Sequence, residues 1–204
     1  SLWREYEQGI NGQYGFMLPE GLKKDQKFDS PILTPSTKAE YGEHDEPIAR
    51  DAIVNGLVEE SIYAQAEEYA LKLFEAGQEW AAKQGLILVD TKYEFGMVNG
   101  ELIVIDEIHT PDSSRYWIAD DYEARFNAGE GQNMLDKENI RQWLIERGFS
   151  GEGTPPALTD EIRVSLAERY IELYTKLTGQ DFHPKLGDVK SRINNNLEKA
   201  GIYA

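Results

Sequence analysis

The chain has 204 residues, 40% of them hydrophobic, with 37 acidic and 21 basic side chains giving a formal charge of -16. That is enough apolar residue for the core of one large domain, while the acidic balance argues against nonspecific binding to nucleic acid or an anionic membrane. The absence of cysteine excludes disulfides, thiolate catalysis and zinc-thiolate sites and is compatible with a reducing cytoplasm. No stretch approaches the roughly 20 apolar residues of a membrane span, and "SLWREYEQGINGQYG" lacks the basic start and apolar run of a secretion signal.

Residues Ser1 to Lys38 are rich in Gly, Pro and charge, with "NGQYG", "LPEGL" and "SPILTPSTK" as turn punctuation, and read as connecting loop. From about Pro47 to Lys83 a helical period takes over. Val58, Ile62, Ala66, Tyr69, Ala70, Leu73, Phe74 and Trp80 keep the spacing of one buried stripe, and Gly85 follows as a stop. "GLILVDTKYEFG" then opens as an apolar strand over 86–96 and places Asp90, Lys92 and Glu94 at alternate positions, hence on one face. A sheet with one wet face would show the same alternation. The next strand, over 101–110, also ends in a polar cluster, "DEIHTPDSSR".

The link "MVNG" decides whether those charges meet. A two-residue Asn99-Gly100 turn pairs Tyr93 with Asp106 and puts Asp106 on the face opposite Glu94. A three-residue Val98-Asn99-Gly100 loop pairs Lys92 with Asp106 and leaves Glu94 diagonal to it. The second register is expected, because it gathers both carboxylates with Lys92.

Beyond Trp117 the sequence reads as a polar loop, followed by a short helix that Asp136 can cap and whose Ile140, Trp143 and Leu144 face inward. After the Gly/Pro linker "GFSGEGTPPALT", a second helix starts near Thr159 with an acidic first turn. It buries Leu166, Tyr170, Leu173, Tyr174 and Leu177, and stops at Gly179. A weaker helix on Val189, Ile193 and Leu197 ends the chain. The expected fold class is α+β, a mainly antiparallel sheet flanked by helices, divided into a domain over 1–179 and a helical extension over 180–204.

Glu94 and Asp106 offer hard oxygen ligands suited to magnesium bound jointly with phosphates. Lys92 can neutralise a phosphate or carboxylate, and Ser113, Ser114 and Arg115 supply hydroxyls and a guanidinium fork for a phosphate monoester. In "TPSTKAEYGEHDEPI", Lys38, Glu43, His44 and Asp45 lie in an aperiodic loop that could grip a small zwitterion. His109 and His183 lie outside any metal-binding spacing and read as hydrogen-bonded structural residues. No nucleophile elbow, Walker loop or GxGxxG fingerprint is present.

Three of these blocks, in order, resemble the phosphoribosylaminoimidazole-succinocarboxamide synthase (SAICAR synthetase) family of purine biosynthesis. "LVDTKYEFG" is similar to its D-x-K-x-E-F-G signature, "VIDEIHTPDSSRYW" to its D-E-x-x-T-P-D-S-S-R-x-W segment, and "TPSTKAEYGEHDEPI" to its substrate loop. The resemblance, covering roughly Ser1 to Gly179, implies a cytoplasmic ATP-dependent ligase joining carboxyaminoimidazole ribonucleotide (CAIR) to L-aspartate, with Mg2+ as cofactor and ATP as co-substrate. It implies that Glu94 and Asp106 hold the magnesium and that Lys92 and Asp90 contact the ribonucleotide's carboxylate and ring region. Asp112, Ser114 and Arg115 would hold its ribose and phosphate, and the loop with Lys38, Glu43, His44 and Asp45 would lie near aspartate. Lys92, Glu94 and Asp106 form the implied catalytic set.

Ser1 aligns with the final serine of the family's R-x-x-x-T-G-S motif and joins the substrate-binding set, while the N-terminal lobe that covers ATP in the family has no counterpart here. The expectation is therefore that the chain alone makes no product. The alternative reading is a noncatalytic fragment that binds ribonucleotide and metal without turnover. Assembly as a homo-oligomer is left open.

Overall fold

The computed structural model describes residues 2–39, 45–135, 137–149, 151 and 153–202. The elements run α1 (Leu2–Glu7), α2 (Arg50–Gly56), α3 (Glu60–Lys83), β1 (Leu86–Thr91), β2 (Glu94–Val98), β3 (Glu101–Ile105), β4 (Ser114–Ile118), α4 (Tyr122–Ala128), α5 (Glu138–Glu146), α6 (Asp160–Thr178) and α7 (Val189–Lys199). Helices thus combine with antiparallel strand pairs, as an α+β chain requires.

The core forms where α3 and α6 close over β1 and β4. Ala81, Leu86, Leu88, Tyr116, Leu135 and Leu173 are buried together, with Phe74, Ile118 and Leu177 packed around them. Leu86 and Leu88 alternate with less buried residues along β1, as period-two alternation dictates. Trp80 lies at the rim of this contact, half exposed, and its indole N–H donates to the Leu177 carbonyl at 2.8 Å, tying α3 to α6. α6 keeps its expected limits: Thr159 accepts from the Ile162 amide at its start, and Gly179 takes a left-handed φ of 67° at its end.

The single strand expected over 86–96 is two strands in two sheets. β1 pairs antiparallel with β4, and β2 pairs antiparallel with β3. The ladder of β1 is irregular between Leu88 and Asp90, a bulge that bends the strand, and the Lys92 amide adds a last bond to the Ser113 carbonyl at 3.0 Å before the chain leaves the sheet. The alternation of Asp90, Lys92 and Glu94 runs through this break, so the three residues do not share one strand face. β4 itself falls on "SRYWI", which the sequence reading treated only as a ligand segment.

The hairpin register also differs from expectation. Val98 pairs with Glu101 and Glu94 with Ile105, which is the two-residue turn. Asn99 and Gly100 both have positive φ, 52° and 85°, the primed turn whose twist matches the strands it joins. Asp106, with a φ of 69°, lies just past the end of this ladder, so the diagonal pairing with Glu94 is not formed.

The helical period expected from Pro47 breaks after Gly56, a weak helix residue. The Leu57 and Val58 amides both close on the Ile53 carbonyl, and Val58 is exposed between the two helices. The N-terminal segment is more ordered than connecting loop: Tyr6 of α1 donates to the Pro19 carbonyl at 2.8 Å, and Asn11 bridges both the amide and the carbonyl of Leu18. The polar region after Trp117 forms α4, whose Tyr122 stacks on Trp117 of β4 and on Phe126, each at 5.9 Å between centroids. Asp136, expected to cap α5, lies outside the described residues; Lys137 occupies the N-cap position.

Candidate active site

Two polar clusters are built on the β1–β4 and β2–β3 ladders. The first begins with register. Asp90 and Arg115 are cross-strand partners, and the guanidinium grips the carboxylate at both ends, Nε to Oδ1 at 3.0 Å and Nη2 to Oδ2 at 2.5 Å. One residue along, Thr91 pairs with Ser114 and their hydroxyls meet at 2.8 Å, with the Ser113 hydroxyl 3.3 Å further on. Ser114 is only 4% exposed, so its hydroxyl belongs to the floor of the site.

Around this floor opens a cleft of about 160 Å³ lined by Asp90, Asp112, Ser113, Ser114, Arg115, Lys137 and Arg141. Lys137 reaches Asp112 at 2.8 Å and holds its carboxyl below the ordinary carboxylate range. Glu107 moves the opposite way, raised first by burial and then by the charges of Asp112 and Asp106, and the Thr110 hydroxyl donates to it. Two guanidinium groups, an ammonium group and two hydroxyls share the cleft with the carboxylates of Asp90 and Asp112, a set of directional donors of the kind that suits an anionic ligand.

Lys137, Arg141 and Glu107 were missed as site residues by sequence reasoning. Lys137 stands at the N-cap position of α5 and Arg141 one turn on, with Asp136 and Glu138 flanking Lys137 in sequence, so no charge anomaly marked either of them. Nor was Glu107 marked, since its surroundings exist only in the folded loop.

The second cluster centres on Glu94. Its Oε2 receives Lys38 at 2.6 Å and its Oε1 receives Lys92 at 3.0 Å. These two bonds hold the Glu94 carboxyl below its ordinary range, and the Glu94 bond raises Lys92 in turn. Lys92 also lies 3.6 Å from Asp45. Asp45 accepts the Ala39 amide at 2.9 Å, the main reason its carboxyl is lowered. The loop is tied at its base, where Ser36 bridges Pro47 and the Thr37 amide bonds to the Glu46 carbonyl at 2.9 Å.

The structure thus joins Lys38 and Asp45 to Lys92 and Glu94 in one network, where the sequence had assigned them to separate ligands. Asp106 is exposed at the end of β3. Ser1, Glu43 and His44 lie outside the described residues. His109 is a hydrogen-bonded residue as expected, its Nε2 meeting the Tyr93 hydroxyl at 2.5 Å.

The donor chemistry fits magnesium held jointly with a ligand. Glu94 is ionised as a metal ligand must be, and among the described residues no group of three or more His, Cys, Asp or Glu could hold a metal ion.

Comparison with known proteins gives one answer. The SAICAR synthetase family profile matches residues 2–156. The chain is 50% identical over 201 residues to the phosphoribosylaminoimidazole-succinocarboxamide synthase of Bacteroides fragilis, covering 97% of this chain and 64% of that protein. Among solved structures, the SAICAR synthase of Saccharomyces cerevisiae complexed with SAICAR is 36% identical with a TM-score of 0.72, covering 89% of this chain and 57% of that one. A SAICAR synthetase in complex with ADP is 32% identical with a TM-score of 0.55, covering 83% of this chain and 57% of that one. The chain therefore spans about 64% of the length of its curated relative, and by the extent of these matches it belongs to the SAICAR synthetase family.

Proposed function

We propose that this chain carries the ribonucleotide and metal-binding part of an ATP-dependent carbon-nitrogen ligase that joins CAIR to L-aspartate, giving SAICAR, ADP and phosphate. The observation that carries the reading is the cleft lined by Ser113, Ser114, Arg115, Lys137 and Arg141 beside the Glu94 network, in a chain of this family. A phosphate monoester meets the donors of the cleft, with Asp112 placed to accept from ribose hydroxyls. Asp90 orients the Arg115 fork and remains in the ring-region contact set.

Lys92 neutralises the ribonucleotide's carboxylate as it becomes the nucleophile toward the terminal phosphoryl group of ATP. Attack by aspartate's amine on the resulting acyl phosphate forms the amide, releases phosphate and leaves a proton to be removed from nitrogen. Lys38 and Asp45, on the tied loop, offer an ammonium group and a carboxylate to the two ends of aspartate. Glu94 would hold Mg2+, with Asp106 contributing from beyond the end of the ladder rather than diagonally across it, and the ion when bound would neutralise phosphate charge. The protein's part is positioning and electrostatics, with no covalent enzyme intermediate.

The reading is tested by calorimetry of the chain with CAIR, with magnesium alone and with magnesium-ATP. CAIR binding that weakens in Arg115→Ala and Lys137→Ala supports it. CAIR binding indifferent to both variants rejects it.

A further inference from the structure

His109 lies midway along the segment whose ends carry the proposed chemistry, with Asp106 before it and Asp112 to Arg115 after it. Its backbone is left-handed, with a φ of 57°, a conformation an L residue keeps only where its surroundings over-determine it. Here they do. The Tyr93 hydroxyl meets Nε2 at 2.5 Å, and the two rings stand edge to face, 5.6 Å apart at 62°. The ring also rests on Gly77 of α3, where an added Cβ would collide with it. The Tyr116 hydroxyl donates to the His109 carbonyl at 2.9 Å. One residue is fastened to the link between β1 and β2, to α3 and to β4.

From that fixed point the loop is determined stepwise. The Thr110 carbonyl accepts the Ser114 amide at 2.9 Å, and the Thr110 hydroxyl accepts the Asp112 and Ser113 amides at 3.3 Å each. The Ser113 carbonyl then takes the Lys92 amide at 3.0 Å. Burial holds the imidazole below its ordinary pKa, so the neutral ring can accept from Tyr93. A shift at His109 passes through Thr110 to the two serines and Arg115.

We propose that the Tyr93–His109 pair, seated on Gly77, is a positioning device that sets the 110–115 loop for the ribonucleotide's phosphate. This inference rests on the reading of the cleft as a phosphate site. Neither residue touches the ligand; both act through the loop.

The test uses the full chain with ribose 5-phosphate as probe, followed by calorimetry, together with amide hydrogen exchange at Lys92, Ser113 and Ser114 and a global urea midpoint. Tyr93→Phe and His109→Ala are expected to weaken probe binding about fivefold to tenfold and to accelerate exchange at those three amides beyond any change in global stability. His109→Gln, whose amide can accept near the place of Nε2, should recover most of the affinity. The Tyr93→Phe loss should disappear when made on top of His109→Ala, since the pair acts as a unit.

Unchanged exchange at the three amides in His109→Ala overturns the proposal, as does faster exchange with unchanged affinity. Failure of the phosphate reading is distinct: wild-type affinity would be absent or indifferent to Arg115→Ala and Lys137→Ala, and the exchange data would still decide whether the pair orders the loop.

Discussion

Lys38 and Glu94, 56 residues apart in sequence, meet at 2.6 Å. That bond ties the loop carrying Asp45 to the first residue of β2, and it unites residues assigned on sequence grounds to different ligands. Lys38 is mostly exposed, so the ion pair itself adds little to stability. Lys38→Met is expected to move the urea midpoint by less than the equivalent of about 1 kcal/mol. It should nonetheless weaken aspartate binding severalfold in a calorimetric titration.

Arg115 holds Asp90 through two nitrogens, a geometry that an ammonium group does not reproduce. Arg115→Lys is therefore expected to weaken ribose 5-phosphate binding about tenfold while leaving aspartate binding within twofold. Calorimetry with each ligand separately checks the contrast. An effect confined to aspartate would reverse the division of roles between the two clusters.

Leu88 is 1% exposed at the centre of the contact between α3 and β1. Leu88→Ala removes buried methyl groups where α3, β4 and α6 limit collapse. It is expected to cost about 2 to 5 kcal/mol, read from equilibrium urea unfolding.

His109 gives a pH signature with a definite sign. Its imidazole is held below the ordinary value of 6.5 by burial, so on acidification the unfolded chain binds the proton first. Its contribution to stability is complete above that value and is lost as pH falls from there through the depressed folded pKa. The slope from this one group is at most about 1.4 kcal/mol per pH unit. Comparing wild type with His109→Gln at pH 7.5 and pH 5.5 should show a smaller loss on acidification in the variant, because other titrating groups cancel in the difference.

Much of the architecture was legible because it is local. The Thr159 cap and the Gly179 stop of α6 depend on neighbours in sequence and stand where their pattern places them. The helical period of α3 is equally local, although Val58 and Trp80 of its expected buried stripe are exposed and Ala81, outside that stripe, is the residue it buries. What depended on partners was not legible. Asp90, Lys92 and Glu94 keep period two through the break between β1 and β2, since alternation does not say which strand lies alongside. Gathering the carboxylates favours the three-residue loop, whereas the Asn99-Gly100 turn, with both φ values positive, sets the hairpin register by backbone twist.

The site divides the same way. The residue types in "VDTKYEFG" and "TPDSSRYW" announced anion and metal chemistry, but the Asp90–Arg115 fork is a product of the β1–β4 register. Lys137 and Arg141 come to the cleft from a helix beyond β4, through tertiary packing alone.

Whether this cleft recognises the phosphate of a ribonucleotide is measured most directly by calorimetry of the chain with CAIR and with the same nucleoside lacking its phosphate. The phosphate is expected to strengthen binding about a hundredfold, as two or more charge-assisted hydrogen bonds would supply. The Lys137→Ala/Arg141→Ala double variant should remove most of that difference. Equal affinities for ribonucleotide and nucleoside, or a phosphate effect untouched by the double variant, would contradict recognition of the phosphate by this cleft.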